Sequence, residues 1–207
     1  MVHYKLSYFD IRGLGEPIRL MFRYARVKFE DHRISRNEWP KIKPTTPTGK
    51  IPILEIDKKI LVESGAIYRF LGSEFNLRPK STWDNAQMES AVEYYNDFRD
   101  EIRPYFRLMA GLTDEGDKEK LYHEIFIPAS NRVFKRYSGI ISASKSGFLA
   151  DEGFSWGDFV IAEKVVSLKN MDSDFGKRFP EIVDYQERVH NIDKISDYIK
   201  NRKFSII

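Results

Sequence analysis

The hydrophobic pattern of the chain changes character once, and this change limits the folds that the chain can adopt. Up to about residue 76, strand-like segments, in which every second residue is apolar, are followed by segments with the helical spacing of apolar residues. "VHYKLSYF" followed by "PIRLMFRYA" is an example. From about residue 84 onward only helical periodicity is found. We therefore predict a small α/β domain followed by an all-helical domain.

The first region reads as β-α-β-α-β-β-α. Its first strand, "VHYKLSYF", places Val2, Tyr4, Leu6 and Tyr8 on one face, and Pro17 suits the first turn of the helix that follows. The later segments are "FEDHRI" (strand), "SRNEWPKIKP" (short helix), "KIPILEI" with "ILV" (hairpin) and "SGAIYRFLGSEF", a helix opened by Ser64. Pro52 implies an edge strand, a bend or a cis bond. This order is that of a thioredoxin-like domain.

The second region begins after a break in the pattern. "NLRPKSTW" reads as a linker, so we predict a first domain over 1–76, a linker over 77–83 and a helical domain over 84–207. A long helix follows the linker, and Pro104 is expected to kink it. Further helices are predicted at about 117–137, 156–170, 179–190 and 192–201.

One helix start is marked by a specific signal. In "FSWGDFVIAE", Ser155 is followed three residues later by Asp158, which resembles a capping box with Asp in place of Glu or Gln. Phe154 precedes the cap and is placed to form a hydrophobic staple with an apolar residue one turn into the helix. We interpret Asp158 as structural rather than as a catalytic acid.

Composition excludes several function classes. The 207 residues include no cysteine, which excludes disulfides, Cys-ligated metals and a protein thiol nucleophile, and the 4 histidines lack metal-ligand spacing, so no metal is expected. A net charge of +3 without a dense basic stripe argues against nucleic-acid binding. No apolar run approaches the roughly 20 residues of a membrane span, and no signal peptide is evident, so we expect a cytoplasmic protein that does not engage membranes.

The segment "LSYFDIRGLGEPIRL" carries a Gly-x-Gly between strand and helix, which is typical of phosphate-binding loops. A dinucleotide fingerprint requires Gly or Ala where this chain has Ile18, and Glu16 at the helix start would repel a pyrophosphate. "TGK" at 48–50 lacks the upstream glycine of a P-loop. The two glycines are therefore predicted to make the turn between strand and helix.

Taken together, the motifs "YKLSYFDIRGLGEPIRL", "FEDHRI…EWPKIK", "GKIPILEID…LVESGAI" and "GFSWGDFVIAE" resemble those of cytosolic glutathione S-transferases. The resemblance is closest to the sigma class, which includes many invertebrate enzymes and the glutathione-dependent prostaglandin D synthase. It covers nearly the whole chain and implies a homodimer that uses glutathione as co-substrate. The implied reaction joins the glutathione thiolate to hydrophobic electrophiles, as in detoxification, with peroxide reduction as a further activity.

The resemblance assigns the catalytic role to Tyr8, whose hydroxyl would hydrogen-bond the glutathione sulfur. The thiol of free cysteine has a pKa of about 8.5, so only a few per cent of free glutathione is thiolate at pH 7. A hydroxyl that donates to the sulfur stabilises the anion more than the thiol, because hydrogen bonds to charged groups are the stronger ones. Since this chain has no cysteine, its nucleophile must come from the substrate.

The resemblance also implies a set of glutathione-binding residues. Trp39, Lys43 and Lys50 would hold the glycine end. Ile51, before a cis Pro52, would pair through its backbone with the cysteinyl unit. Glu63 and Ser64 would bind the γ-glutamyl end, which Asp97 of the other subunit would also reach.

Two positions depart from the family pattern. Leu14 stands where the prostaglandin-forming relative has an arginine that assists at the sulfur, and Glu63 replaces the glutamine usual in this class. The hydrophobic substrate pocket is predicted to be lined by Phe9, Leu14, Tyr105, Met109 and Phe204. Two alternatives remain open beside the transferase: a glutathione-dependent isomerase such as prostaglandin D synthase, and a non-catalytic carrier of apolar ligands such as haem.

Overall fold

The computed structural model describes residues 2–207, and the chain divides into two compact units. The first unit contains the residues up to Arg78 together with Asn191–Ser205, and the second contains Pro79–His190 with Ile206–Ile207. The main division falls between Arg78 and Pro79, which lies inside the predicted 77–83 linker.

The first unit is built on a four-stranded mixed sheet with the order β2-β1-β3-β4. Its strands are β1 (Tyr4–Phe9), β2 (Glu30–Ile34), β3 (Ile53–Ile56) and β4 (Lys59–Val62). Strand β1 runs parallel to β2 and antiparallel to β3. The helices are α1 (Glu16–Ala25), α2 (Trp39–Ile42), which continues into a 3₁₀ turn (Lys43–Thr45), and α3 (Ser64–Glu74). The predicted order of elements and the predicted thioredoxin-like fold are confirmed.

The core of this unit lies between the sheet and helices α1 and α3. Leu6 and Leu54 from the sheet are fully buried, as are residues of α1 and α3, among them Ile18, Phe22 and Ile67. The face predicted for the first strand is wrong at one end, since Val2 is 48% exposed and β1 begins only at Tyr4. Val2 therefore lies before the register that pairs β1 with its neighbours.

The second unit is entirely helical. Its helices are α4 (Thr82–Glu101), α5 (Arg103–Met109), α6 (Lys118–Leu121), α7 (Ile127–Ala143), α8 (Trp156–Met171), α9 (Phe175–Arg178) and α10 (Pro180–His190). A π-helical turn (Tyr122–Phe126) joins α6 to α7. The long helix breaks at Ile102, because Pro104 lacks an amide proton and is accommodated only in the first turn of a new helix. Across residues 2–207, no helix has both the length and the apolar composition that crossing a membrane requires.

The predicted capping box at the start of α8 is confirmed. Ser155 is the N-cap, both halves of the box are formed, and Phe154 meets Phe159 edge to face at 4.7 Å, which is the predicted staple. The Asp158 carboxylate accepts four hydrogen bonds, from the amide and hydroxyl of Ser155, the Leu149 amide and the Tyr185 hydroxyl. Asp158 is fully buried, so this carboxylate has a structural role.

The last helix, α11 (Asp193–Asn201), belongs to the first unit rather than to the helical unit in which the sequence places it. The Arg23 guanidinium of α1 lies 3.8 Å from the centroid of the Tyr198 ring, and the Lys194 ammonium lies 4.1 Å from that of Tyr24. Cation–π contacts of this kind join two amphipathic helices whose sequence patterns alone do not reveal their partners.

Candidate active site

Tyr8 lies in strand β1 one residue before its end, with its ring buried and its hydroxyl facing the loop between β1 and α1. The Leu14 amide donates a hydrogen bond to the Tyr8 hydroxyl oxygen at 3.0 Å. A phenolic hydroxyl both accepts and donates, so an oxygen that accepts here keeps its own proton for another acceptor. The loop therefore holds the hydroxyl and leaves it able to donate.

The two glycines of this loop make room for the tyrosine. Gly13 has φ +44°, and a Cβ placed on it would lie 2.5 Å from the Tyr8 hydroxyl. A Cβ on Gly15 would lie 2.5 Å from Cδ1 of the same ring. The predicted turn is present, and the glycines have a second role that their spacing does not reveal: no larger residue fits against Tyr8 at either position.

Burial raises the pKa of Tyr8 above its ordinary value of 10.0, while the Leu14 hydrogen bond and the positive charge of Arg19 act in the opposite direction. The Arg19 guanidinium lies 6.0 Å from the centroid of the Tyr8 ring. Because the net shift is upward, the hydroxyl stays protonated at neutral pH. It is therefore a hydrogen-bond donor under ordinary conditions.

The backbone of Leu14 is held from two sides. Its amide donates to Tyr8, and its carbonyl accepts a 2.7 Å hydrogen bond from the Tyr68 hydroxyl of α3. Sequence reasoning missed Tyr68. The available signal was its place four residues after Ser64, which puts it on the same side of α3 as the predicted site.

Trp39, Lys43 and Lys50 lie along one stretch of the first unit. The Trp39 ring meets Phe9 edge to face at 5.5 Å, and the Lys43 amide donates to the Trp39 carbonyl across one turn of α2. A Cβ on Gly49 would lie 3.7 Å from Cε of Lys43, so the Lys43 stem passes beside the residue that precedes Lys50. Both lysines are exposed and have no acidic partner among residues 2–207. Two unpaired cations on neighbouring segments favour a carboxylate ligand.

The Ile51–Pro52 peptide bond is cis, as the family resemblance implies, and this is one of the three possibilities that the sequence pattern leaves open for Pro52. Helix α3 begins at Ser64, and its N-cap is Glu63 rather than Ser64. Glu63 adopts φ +67° and ψ 116°, a conformation that residues other than glycine rarely take, and its side chain makes no capping hydrogen bond. The first amides of α3 are thus without a side-chain cap, which leaves them available to an anion.

The remaining predicted residues are distributed between the units. Asp97 is exposed on α4 of the second unit. Of the pocket residues, Phe9, Leu14 and Phe204 belong to the first unit, whereas Tyr105 and Met109 belong to the second. Tyr105 is buried, and its hydroxyl donates to the Met171 carbonyl at 2.8 Å. The roles of these residues in substrate binding stay predictions.

Within residues 2–207, no group of three His, Asp or Glu side chains is arranged to hold a metal ion. The absence of a metal from the reaction stays a prediction. The donors that the site offers are hydroxyl, amide and ammonium groups, which suit an anionic organic ligand.

Comparison with known proteins identifies the class. Residues 4–73 match the family model of the glutathione S-transferase N-terminal domain, and residues 96–202 match that of the C-terminal domain. The chain belongs to the glutathione S-transferase family. It is an enzyme of the glutathione transferase type, and the family uses glutathione as a substrate.

Individual relatives cover nearly the full chain. Glutathione S-transferase 1 of Ascaris suum is 41% identical over 202 residues, which is 98% of each protein. A crystal structure of a monomeric glutathione S-transferase from the hookworm Necator americanus has a TM-score of 0.91 at 37% identity and covers 98% of each chain. The structure of a prostaglandin synthase D of Nilaparvata lugens has a TM-score of 0.87 at 36% identity and covers 98% of this chain and 100% of its own.

Proposed function

We propose that this transferase activates glutathione through the Tyr8 hydroxyl, which donates a hydrogen bond to the substrate sulfur and stabilises the thiolate. The thiolate then attacks a hydrophobic electrophile by aromatic substitution or conjugate addition, and reduces peroxides as a further activity. The observation that carries the proposal is the 3.0 Å hydrogen bond from the Leu14 amide to the Tyr8 oxygen. It fixes the hydroxyl and leaves its proton for the sulfur.

The energetics of this step are of the right size. Lowering a thiol pKa by ~2 units corresponds to about 2.7 kcal/mol of preferential stabilisation of the thiolate. One hydrogen bond to a charged group contributes about 1.5–3 kcal/mol. The Leu14 amide polarises the phenol further, because a hydroxyl that accepts a hydrogen bond becomes a better donor.

The same unit offers groups for both ends of glutathione. Lys43, one helical turn after Trp39, and Lys50 would bind the glycine carboxylate. The uncapped amides at the start of α3 would bind the γ-glutamyl carboxylate, and the Glu63 carboxylate would bind the neighbouring ammonium. Ile51 would pair through its backbone with the cysteinyl unit. This arrangement would place the sulfur at Tyr8.

Tyr8→Phe tests the proposal, because it removes only the hydroxyl. Turnover of chlorodinitrobenzene is expected to fall about 10- to 100-fold while glutathione binding persists. The pKa of the bound thiol, followed by the ultraviolet absorbance of the thiolate, is expected to rise by up to ~2 units. If turnover and the thiol pKa are unchanged while glutathione still binds, the proposed role of Tyr8 is wrong.

The pH dependence of the reaction follows from the direction of the Tyr8 shift. Because the pKa of Tyr8 lies above 10.0, the hydroxyl keeps its proton throughout the range in which the thiol ionises. We expect kcat/KM for glutathione to rise with pH through a single ionisation, that of the thiol, and then to level off. A decline between about pH 8 and 9.5, with the enzyme still folded, would place the Tyr8 pKa below its ordinary value.

We further propose that the enzyme is sigma-like, acts in detoxification in the cytosol and forms a homodimer. The cytosol maintains a reduced glutathione pool, and the exposed Asp97 carboxylate has no partner among residues 2–207, which leaves it available to a second subunit's ligand. Light scattering at micromolar concentration tests the dimer, and a monomeric mass would refute it. Asp97→Ala is expected to weaken glutathione binding only when the protein is a dimer, because the carboxylate would reach the ligand of the other subunit.

A second candidate, prostaglandin isomerisation, is favoured by the likeness to the Nilaparvata lugens structure. Leu14 argues against it as the main activity, since an apolar side chain supplies no charge near the sulfur. Product analysis with prostaglandin H as substrate is expected to give mostly non-specific products. Predominant prostaglandin D would reverse the order of the two candidates.

A further inference from the structure

The C-terminal strap, defined as residues 202–205, lies on the loop between β1 and α1. The Arg202 guanidinium donates to the Glu16 carboxylate at 2.9 Å, and the Lys203 ammonium donates to the Asp10 carboxylate at 2.9 Å. The Arg12 guanidinium donates to the Ser205 carbonyl at 3.1 and 3.2 Å. Contacts at Arg202, Lys203 and Ser205 thus tie the strap to both ends and the middle of this loop.

Glu16 is the centre of these contacts. Its side chain is 2% exposed and pairs with Arg202, which is 11% exposed, through one oxygen and with the fully buried Arg19 through the other. The Tyr198 hydroxyl of α11 also bonds to this carboxylate. Groups from α1, α11 and the strap therefore converge on a single buried charge.

Arg19 connects the Glu16 carboxylate to the backbone of the loop. Its guanidinium donates to the carbonyls of Phe9 at 3.1 Å and Ile11 at 2.8 Å, in addition to Glu16 and Asp31. Those carbonyls flank the start of the loop whose Leu14 amide bonds to Tyr8. Arg19 is also the charged group that acts on the Tyr8 ring.

We propose that Arg202, acting through Glu16, is a positioning residue for thiol activation: the strap holds the loop so that the Leu14 amide stays on the Tyr8 hydroxyl. This inference rests on the proposed role of Tyr8. Loosening the loop lengthens the hydrogen bond between the Leu14 amide and the Tyr8 oxygen, and the phenol becomes a weaker donor to the sulfur. A purely anchoring strap would instead change stability and leave the bound thiol unaltered.

The experiment compares Arg202→Ala with a conservative variant and a matched control. Arg202→Lys keeps the charge, and Lys200→Ala removes an exposed charge two residues earlier on α11. The readouts are the pKa of the bound glutathione thiol, the pH profile of kcat, KM for glutathione and the unfolding temperature. Arg202→Gln keeps much of the side-chain length and serves if the alanine variant does not fold.

For Arg202→Ala we expect the pKa of the bound thiol to rise by ~0.5–1 unit. The value of kcat at neutral pH is expected to fall about 3- to 10-fold, with KM within about twofold and the loss disappearing above the raised pKa. Arg202→Lys is expected to restore most of the activity, and Lys200→Ala to behave as the wild type.

An unchanged thiol pKa in folded Arg202→Ala or Arg202→Gln, or a loss of kcat that is equal at every pH, would overturn the proposal. Tyr8→Phe in the same assay distinguishes a failure of the positioning role of Arg202 from a failure of the proposed role of Tyr8. If it raises the thiol pKa and the Arg202 variants do not, only the positioning role is wrong. If Tyr8→Phe also leaves the pKa unchanged, the role of Tyr8 is wrong and the positioning role fails with it.

Discussion

Helices α3 and α8 begin in opposite ways. At α8, the buried Ser155 and Asp158 form a complete capping box, and the carboxylate accepts four hydrogen bonds. At α3, the exposed Glu63 has a positive φ and makes no capping bond through its side chain. The first arrangement satisfies the helix from within the protein, whereas the second leaves amide donors at the surface.

The two helix starts therefore serve different purposes, one in stability and the other in ligand binding. A helix start whose donors are already satisfied contributes to stability and offers a ligand nothing. A helix start with open donors and a strained cap contributes less to stability, but it can bind an anion, and strain of this kind occurs where function requires it. Substitutions at the two sites are therefore expected to act on different measured quantities.

The largest effect is expected at α8. Asp158→Ala leaves the amides of Ser155 and Leu149 and the Tyr185 hydroxyl without their acceptor, so the free energy of unfolding should fall by about 3–5 kcal/mol. Urea denaturation measures this loss, and glutathione affinity of the folded fraction should be unchanged. Ser81→Ala is the control, because this N-cap of α4 accepts one hydrogen bond at 3.2 Å and should cost only about 1 kcal/mol. If Asp158→Ala lowers the free energy of unfolding no more than Ser81→Ala does, the capping box of α8 is not a strong structural feature.

An intermediate effect of the opposite kind is expected at α3. Glu63→Gly relieves the positive φ and removes the carboxylate, so stability should stay level or rise by up to about 1 kcal/mol. Glutathione affinity, measured by calorimetry, should fall about tenfold, as for one lost charge-assisted hydrogen bond. Asn76→Gly relaxes another positive φ, 55°, outside the site and should leave affinity unchanged. Equal affinity losses in both variants would show that the backbone, not the carboxylate, is responsible.

The smallest effect is expected at the exposed lysines. Lys43→Ala should raise KM for glutathione about three- to fivefold, because an exposed ion pair contributes at most about 1 kcal/mol. Lys41→Ala removes another exposed charge, from α2 just before Lys43, and should leave KM unchanged. The contrast should shrink with added salt, since screening weakens exposed charges. If the two lysines behave alike, the carboxylate is held elsewhere.

Local signals predicted the parts of the molecule that depend on local structure. The strand and helix order and the capping box at Ser155 follow from residues a few positions apart. At Pro52 the local pattern leaves a cis bond as one of three possibilities, and the family resemblance favours it. The position of the strap could not be predicted in this way, because Arg202 and Glu16 lie 186 residues apart and neither local sequence indicates the other as its partner. The N-cap at Glu63 was also missed, since serine is the commoner cap and a strained glutamate is unfavourable by propensity alone.

The residues of the candidate site are assigned through resemblance, whereas the geometry around Tyr8 was not predicted. Tyr8 could be assigned a role, but the fit of its ring against Gly13 and Gly15 depends on side-chain packing that no spacing rule encodes. Tyr68 was also missed, because its hydroxyl bonds to a backbone carbonyl 54 residues away.

Leu14 holds Tyr8 through its main chain, whose amide and carbonyl are both engaged. The identity of its side chain is therefore uncoupled from the hydrogen bond that holds Tyr8. If Tyr8 activates the thiol as proposed, position 14 can change over evolution without dismantling that step. If its side chain lines the substrate pocket as predicted, a lineage can test new side chains there, and with them new electrophiles, while the proposed activation of the thiol is inherited intact.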